Sequence, residues 1–410
     1  MRRSGVRGWG LVRGQAIAVL LMAAAAGCSG APSDAGADVD VDVEQSEVQS
    51  ALRSAAWEPL GGNLNPFPGQ FVSAPSLVVN PPARPALAFS TVDPVTGLDR
   101  AFVLRWRHGD WTAVGEGGFD GQGPSIAADD DGRLYACFAA AGKGPVVQRW
   151  DGDAWVARGG DIGIETGFAG TRYLVESCDG IQLARGHRPV VAWSADVGAK
   201  NDAVYVAQWQ RPDRAWAGIG PGRIGGRAGS PSLATDGRDQ LYVATFSPGG
   251  SFGGGDTTRV WSWDGAVWVQ LGPDMPATGH PVIAAGRCSL HLALEDDASG
   301  AVTVMKWLDG AWSLLPSPGL GSAPALAFTS SGHPVVAFID TGEPRTIRVV
   351  TLVRGAWRDV GGGVASLGTD TTVSLTIAVD ARDRPTLAWS EEGFTGIGNV
   401  FAMRYGAALR

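Results

Sequence analysis

Positive charge and cysteine are both scarce in this sequence. Of its 33 cationic residues only Lys143, Lys200 and Lys306 are lysines, and 41 acids outnumber them, for a net charge of −8. A chain this acidic is a poor partner for nucleic-acid phosphate, so no nucleic-acid partner is expected. The four cysteines show no zinc-pair spacing and have no adjacent His to activate a thiolate. HExxH, GxSxG and Gly-rich phosphate-loop motifs are missing. No catalytic motif is therefore present, no catalytic residue can be named, and no cofactor or metal is expected. Glycine, in contrast, is plentiful at 60 residues, about twice the usual ~7%. That surplus and the many turn dipeptides argue against a helical bundle. An apolar share of 44% with 16 Trp is too hydrophobic for a disordered chain.

The first 27 residues read as an address. Arg2, Arg3, Arg7 and Arg13 precede the apolar run AIAVLLMAAAAG at 16–27. That run is shorter than the about 20 residues a spanning helix needs. Small residues lead directly into Cys28, and LLMAAAAGC resembles a bacterial lipobox. The resemblance implies cleavage before Cys28, a diacylglycerol thioether on its sulfur and acylation of its new amino group. Ser29 rather than Asp at the next position implies an outer-membrane destination. Two or more acyl chains anchor stably where one does not. Losing the four arginines and no acid takes the net charge from −8 to about −12, which suits a soluble domain. Residues 28–52, with their DVDVDVE stretch, read as the lipidated Cys and an acidic, self-repelling tether. If Cys28 is lipidated, Cys137, Cys178 and Cys288 remain. An odd number allows at most one internal bridge, and buried free thiols are the favoured expectation over a bridge between neighbouring repeats.

Residues 53–410 carry an internal repeat. Trp106/Trp111, Trp150/Trp155, Trp263/Trp268 and Trp307/Trp312 are pairs five apart, and Trp209/Trp216 is the same pair with two extra residues. Turn sequences such as RHGD, DGDA and LDGA lie between the partners, and Asp-Gly between apolar runs is a strong hairpin signal. Ahead of each pair stand two further apolar runs joined by a turn, as in PSIAADDDGRLYACF at 124–138 and PALAFTSSGHPVVAF at 324–338. Each unit of about 50 residues thus predicts four antiparallel strands. Such a sheet cannot bury both faces alone, and radial stacking solves the problem. Second strands end at Phe89, Phe138, Trp193, Phe246, Leu294, Phe338 and Trp389. The expected fold is all-β: a seven-bladed β-propeller of four-stranded antiparallel blades. The last unit has Tyr405 in place of the first Trp and no outer strand after it, while Trp57–Gly62 matches an outer strand. The N-terminal strand is therefore expected to complete the last blade and close the ring, which removes exposed sheet edges.

The pattern over 57–410 resembles bacterial seven-bladed propellers in general. WDGAVW at 263–268 departs from the sialidase Asp-box because its Asp and Gly are adjacent, and the kelch, WD and tectonin patterns fit only in fragments. The recurring Trp are expected to be core, and the Asp-centred turns at Asp129 and Asp236 to be turn chemistry. Acids follow most second strands: Asp93, Asp196, Glu295 with Asp296, Asp340, and Glu391 with Glu392. If their loops line a channel mouth, they would ring it with carboxylates able to meet a cation, an amine or sugar hydroxyls. The leading expectation is a non-enzymatic, lipid-anchored surface module of the cell envelope that binds a protein or glycan. It would meet the membrane only through Cys28. The alternative is a carbohydrate-active hydrolase or lyase that uses the loop carboxylates of one face.

Overall fold

A computed structural model describes residues 56–409 apart from 81–82, 141–142, 168–174, 176, 197–201, 212–213, 226–227, 250–254, 287–288, 297, 366, 368–371 and 394–397. The leader, Cys28, the tether and Cys288 lie outside the described residues. Over the described residues the protein is all-β and propeller-like, built of successive four-stranded antiparallel meanders. The first unit pairs Ser76–Asn80, Arg84–Val92, Asp99–Arg107 and Asp110–Ala113 in order. The second runs through Phe119–Ala128, Leu134–Ala140, Pro145–Trp150 and Trp155–Ala157. The third uses Gly180–Ala184, Arg188–Asp196, Asp202–Gln210 and Ala215–Gly218. The same order recurs over Gly229–Gln270, Thr278–Leu314 and Gly319–Asp359. The last unit has three strands of its own, Thr372–Val379, Pro385–Glu392 and Gly398–Tyr405, and takes its outer strand from Trp57–Pro59, with Trp57 opposite Tyr405.

Second strands are the centre of burial because both of their faces meet neighbouring sheets. Leu134–Ala139 and Pro334–Ile339 are buried without a break, as a strand covered on both faces must be. Third strands alternate, and outer strands are mostly exposed. The hairpins joining third to outer strands are tight turns. His108-Gly109, Asp309-Gly310 and Arg354-Gly355 have positive φ at both central residues, as a turn matched to strand twist requires. Asp129, Asp236 and Asp380 close the turns between first and second strands. Each carboxylate accepts two backbone N–H bonds, from residues two and four places on.

The Trp pairs do two jobs. Within a hairpin the rings meet edge to face at 5.2–5.7 Å for Trp106/Trp111, Trp150/Trp155, Trp209/Trp216 and Trp307/Trp312. The second ring of each pair then reaches backward to the unit before. Trp111 Nε1 donates to Leu60 O (2.7 Å), Trp155 to Val114 O (2.6 Å), Trp216 to Arg158 O (2.6 Å) and Trp268 to Ile219 O (3.0 Å). Trp312 donates to Leu271 O (2.8 Å), Trp357 to Pro316 O (2.6 Å) and Trp57 to Val360 O (2.8 Å). In all but the Pro316 case the next residue is a glycine of positive φ under the indole: Gly61, Gly115, Gly159, Gly220, Gly272 and Gly361. A Cβ on Gly115 would stand 2.7 Å from Trp155. The glycine surplus is in part the demand of this contact.

Two features depart from the sequence reading. Cys137 and Cys178 are bonded to each other, with Cα atoms 5.8 Å apart, rather than buried as free thiols. Their pairing ties the second strand of the second unit to the lead-in of the third. The longer Trp155-to-Trp216 interval also holds a short helix, Ile162–Thr166, which no periodicity announced. Asp161 caps it, accepting from Ile164 N, and Gly167 ends it in the left-handed region.

Four outcomes follow. Gly115→Ala should cost at least about 1–2 kcal/mol from left-handed backbone strain alone, and Trp155→Phe about 1 kcal/mol for the lost hydrogen bond; urea unfolding reads both. Removing both Cys137 and Cys178 as alanines should cost about 2–4 kcal/mol by the same measurement. His291 is buried against Phe328, with its Nδ1 unpartnered. Burial first, and then the charge of Lys306, holds its pKa down to about 4 from 6.5. Between those values the unfolded chain takes up a proton that the folded chain refuses. Stability is therefore full above about pH 6.5 and falls as the pH drops toward 4. The parent should lose about 2 kcal/mol more than His291→Gln between about pH 7 and pH 5.

Candidate functional site

The carboxylates singled out in the sequence do sit at the ends of second strands or in the loops after them, but their oxygens are largely engaged locally. Asp93 accepts from the backbone of Val95 and Thr96. Asp296 accepts from Ser299 Oγ and Ala298 N (both 2.9 Å), and these bonds, the hydroxyl first, hold its pKa below the usual range. Asp340 meets Arg348 at 3.2 Å, and Arg348 also binds Asp359 at 2.7 Å. Glu295 accepts from Ala323 N of the following unit (3.3 Å), and Glu391 from Trp389 Nε1 (2.7 Å). Glu392 is half-buried at the end of its strand. Asp196 closes its strand opposite Asp202. Among the described residues, no three His, Cys, Asp or Glu side chains converge as metal ligands would.

What the sequence did not mark is a run of cavities along the outer edge of the second unit, on the sides where it meets the first and the third. One, of about 610 Å³, is lined by Phe119, Asp120, Phe138, Lys143, Gln148, Asp161 and Ile164. That volume lies within the range of sites that hold small ligands. Its walls come from the connection into the second unit, the loop after that unit's second strand, and the short helix. Phe119 and Phe138 stack at 4.6 Å on one side. Asp161 is occupied in holding the wall together: one oxygen caps the helix and the other accepts Gly144 N (2.7 Å). Asp120 is exposed, with Arg100 3.4 Å away as its partner. Its carboxylate and the exposed Lys143 ammonium are thus open to a ligand.

A second cavity, of about 360 Å³, adjoins the first through Gly118 and Phe119 and adds Glu116, Asp153, Trp150 and Trp155. Phe119 touches Trp155 edge to face at 5.2 Å. A third, of about 630 Å³, shares Ala157 and Gly159 with the first and continues toward the turns between strands. Together they line a surface groove with aromatic rings, the exposed acids Glu116, Asp120 and Asp153 and the exposed amine of Lys143, and with arginines at its turn side. Hydrogen bonds to hydroxyls and stacking on C–H faces are the interactions such a lining offers. The signals were the 61-residue step between Trp155 and Trp216 and the aromatic Phe119 at a connection. Neither reveals a cavity before the two units are placed side by side.

No protein-family model matches the chain, and no curated protein matches it. Solved structures do. A protein of unknown function from Dyadobacter fermentans is 12% identical over 83% of this chain and 95% of that one, with a TM-score of 0.46. An α-L-arabinofuranosidase from Fusarium graminearum is 10% identical over 85% and 96%, with a TM-score of 0.45. A Hadza microbial sialidase is 12% identical over 84% and 68%, with a TM-score of 0.45. The expectation of a non-enzymatic binding module is not what these neighbours bear out, since an arabinofuranosidase and a sialidase are among them.

Proposed function

We propose that this chain is a carbohydrate-active hydrolase or lyase, built on a closed ring of seven blades and held at the bacterial cell envelope by a lipid on Cys28. The ring is supported by the indole bonds, which step from each unit to the one before and return through Trp57 to Val360. It is also supported by the pairing of Trp57–Pro59 with the last unit. The address rests on the LLMAAAAGC run. The Cys137–Cys178 bond supports it independently, because disulfides persist in oxidising compartments outside the cytoplasm.

One observation carries the catalytic reading: the open Asp120 carboxylate and Lys143 ammonium flank a cavity walled by the stacked Phe119 and Phe138 rings. Aromatic faces hold sugar rings by their C–H surfaces, and a carboxylate beside them can take a proton from a hydroxyl or from carbon. Glu116, in the adjoining cavity, supplies a further acid along the same groove. A hydrolase would use two such carboxylates on either side of the scissile bond. A lyase would use one base and a cation that steadies the developing charge. The loop acids Asp93, Glu295, Asp296, Asp340, Glu391 and Glu392 border the same end of the fold and are proposed as secondary contacts.

The test is a panel of plant, algal and bacterial polysaccharides incubated with residues 53–410. Two readouts are followed: new reducing ends, and the ultraviolet absorbance of unsaturated uronates. Turnover on at least one polymer is expected. Asp120→Asn should lower kcat by about 100-fold or more, as loss of an acid–base group does. Absence of both products across the panel would overturn the reading.

A further inference from the structure

The cavity on the turn side of the groove has a different chemistry. It is lined by Arg133, Arg149, Arg158, Arg211 and Arg214 with His187, and Asp129 is the acid among its lining residues. In a chain with a net charge of −8, this is a concentrated positive site rather than part of a basic surface. Three arms of the fold converge to make it. Arg149 and Arg158 flank the hairpin of the second unit, Arg211 and Arg214 flank the hairpin of the third, and Asp129, Arg133 and His187 come from turns between first and second strands.

The local acids do not neutralise it. Asp129 spends one oxygen on the backbone of its own turn; the other lies 3.6 Å from Arg133 and 3.8 Å from His187. Arg133 is taken up by Asp131. The corresponding Asp380 of the last unit instead binds Arg384 directly at 2.8 Å. Arg149 is half-buried, and its Nε has no partner. Arg158 feels burial first and then the repulsion of Arg149, both of which lower its pKa; Arg211 acts the same way at longer range. Arg158 donates a hydrogen bond to Tyr135, and both residues line the cavity. Like charges brought together at one site repel, and an anion that joins them removes the cost. Planar guanidinium forks suit the oxygen pairs of carboxylate and sulfate.

We propose that this cavity is an oxyanion site that takes the sulfate or carboxylate group of an acidic polysaccharide lying along the groove. The first and third cavities share Ala157 and Gly159, so one polymer can touch the Phe119 and Phe138 rings and the arginines together. The inference names the substrate class for the proposed carbohydrate groove and so rests on that reading.

Calorimetric titration tests it on residues 53–410, with four probes: a sulfated galactan oligosaccharide, its desulfated form, an oligogalacturonate and its methyl ester. The charged member of at least one pair should bind, with its neutral counterpart at least about tenfold weaker. Which pair responds separates sulfate from carboxylate as the natural group. Arg149→Gln and Arg214→Gln should each weaken the charged probe by about tenfold, the worth of one charge-assisted bond. Arg358→Gln, outside the cavity, should not. Circular dichroism and melting confirm that the variants are folded. If neutral and charged probes bind equally and the arginine variants bind like the parent, the oxyanion site is overturned while the carbohydrate reading survives. If no saccharide of either kind binds, both fall.

Discussion

The indole of each outer strand, donating its N–H to a carbonyl of the preceding unit, is the contact on which the rest of the fold depends. A four-stranded sheet has two apolar faces and cannot hide both by itself. Burying the faces against neighbours solves the hydrophobic problem but leaves the spacing at the outer edge undetermined. The Trp side chain settles that spacing because it is large, flat and carries a single donor. It fills the wedge between adjacent outer strands and its N–H must find an acceptor. The carbonyl that accepts it can approach only because the following residue is a left-handed glycine with no Cβ, as at Gly115 under Trp155. Trp357 shows the tolerance of the device: it reaches Pro316 where no such glycine follows, and the bond is still 2.6 Å.

That repeated wedge also explains where a site can form. Elsewhere the outer edge carries a Trp pair packed over a glycine turn, as at Trp307 and Trp312 with Gly272. Between the second and third units the chain from Trp155 to Trp216 is longer than the repeat. It carries the capped helix Ile162–Thr166, and the Cys137–Cys178 bond ties its far end back to the sheet. Cavities open on both sides of that insertion, one walled by phenyl rings and the other by guanidinium groups. Departure from the repeat creates the chemistry, while the repeat supplies the rigidity that keeps it in place.

The sequence made the architecture legible because repetition is a one-dimensional signal. Trp spacing, Asp-Gly turns and alternating apolar runs each report local geometry, and they agreed from unit to unit. The pairing of Trp57–Pro59 with the last unit could be anticipated from Tyr405 standing where a Trp was due. The acids after second strands were just as visible, yet most serve their own loops: Asp93 and Asp296 fold back on nearby backbone and Asp340 is held by Arg348. A carboxylate at a strand end looks the same in sequence whether it caps a turn or faces a ligand. The bridge from Cys137 to Cys178 was similarly hidden, because three candidate thiols and no distances leave the partner open.

By itself, then, the sequence determined what nearest-neighbour physics controls: strand periodicity, turn type, the matching outer-strand pattern at Trp57 and the acidic balance of the chain. Tertiary structure alone decided which side chains share a cavity. Arg149, Arg158, Arg211 and Arg214 lie up to 65 residues apart in the chain and belong to two hairpins. Only the packing of one sheet on the next brings their charges together, since the distance between residues of different units depends on stacking and leaves no mark in the spacing of either.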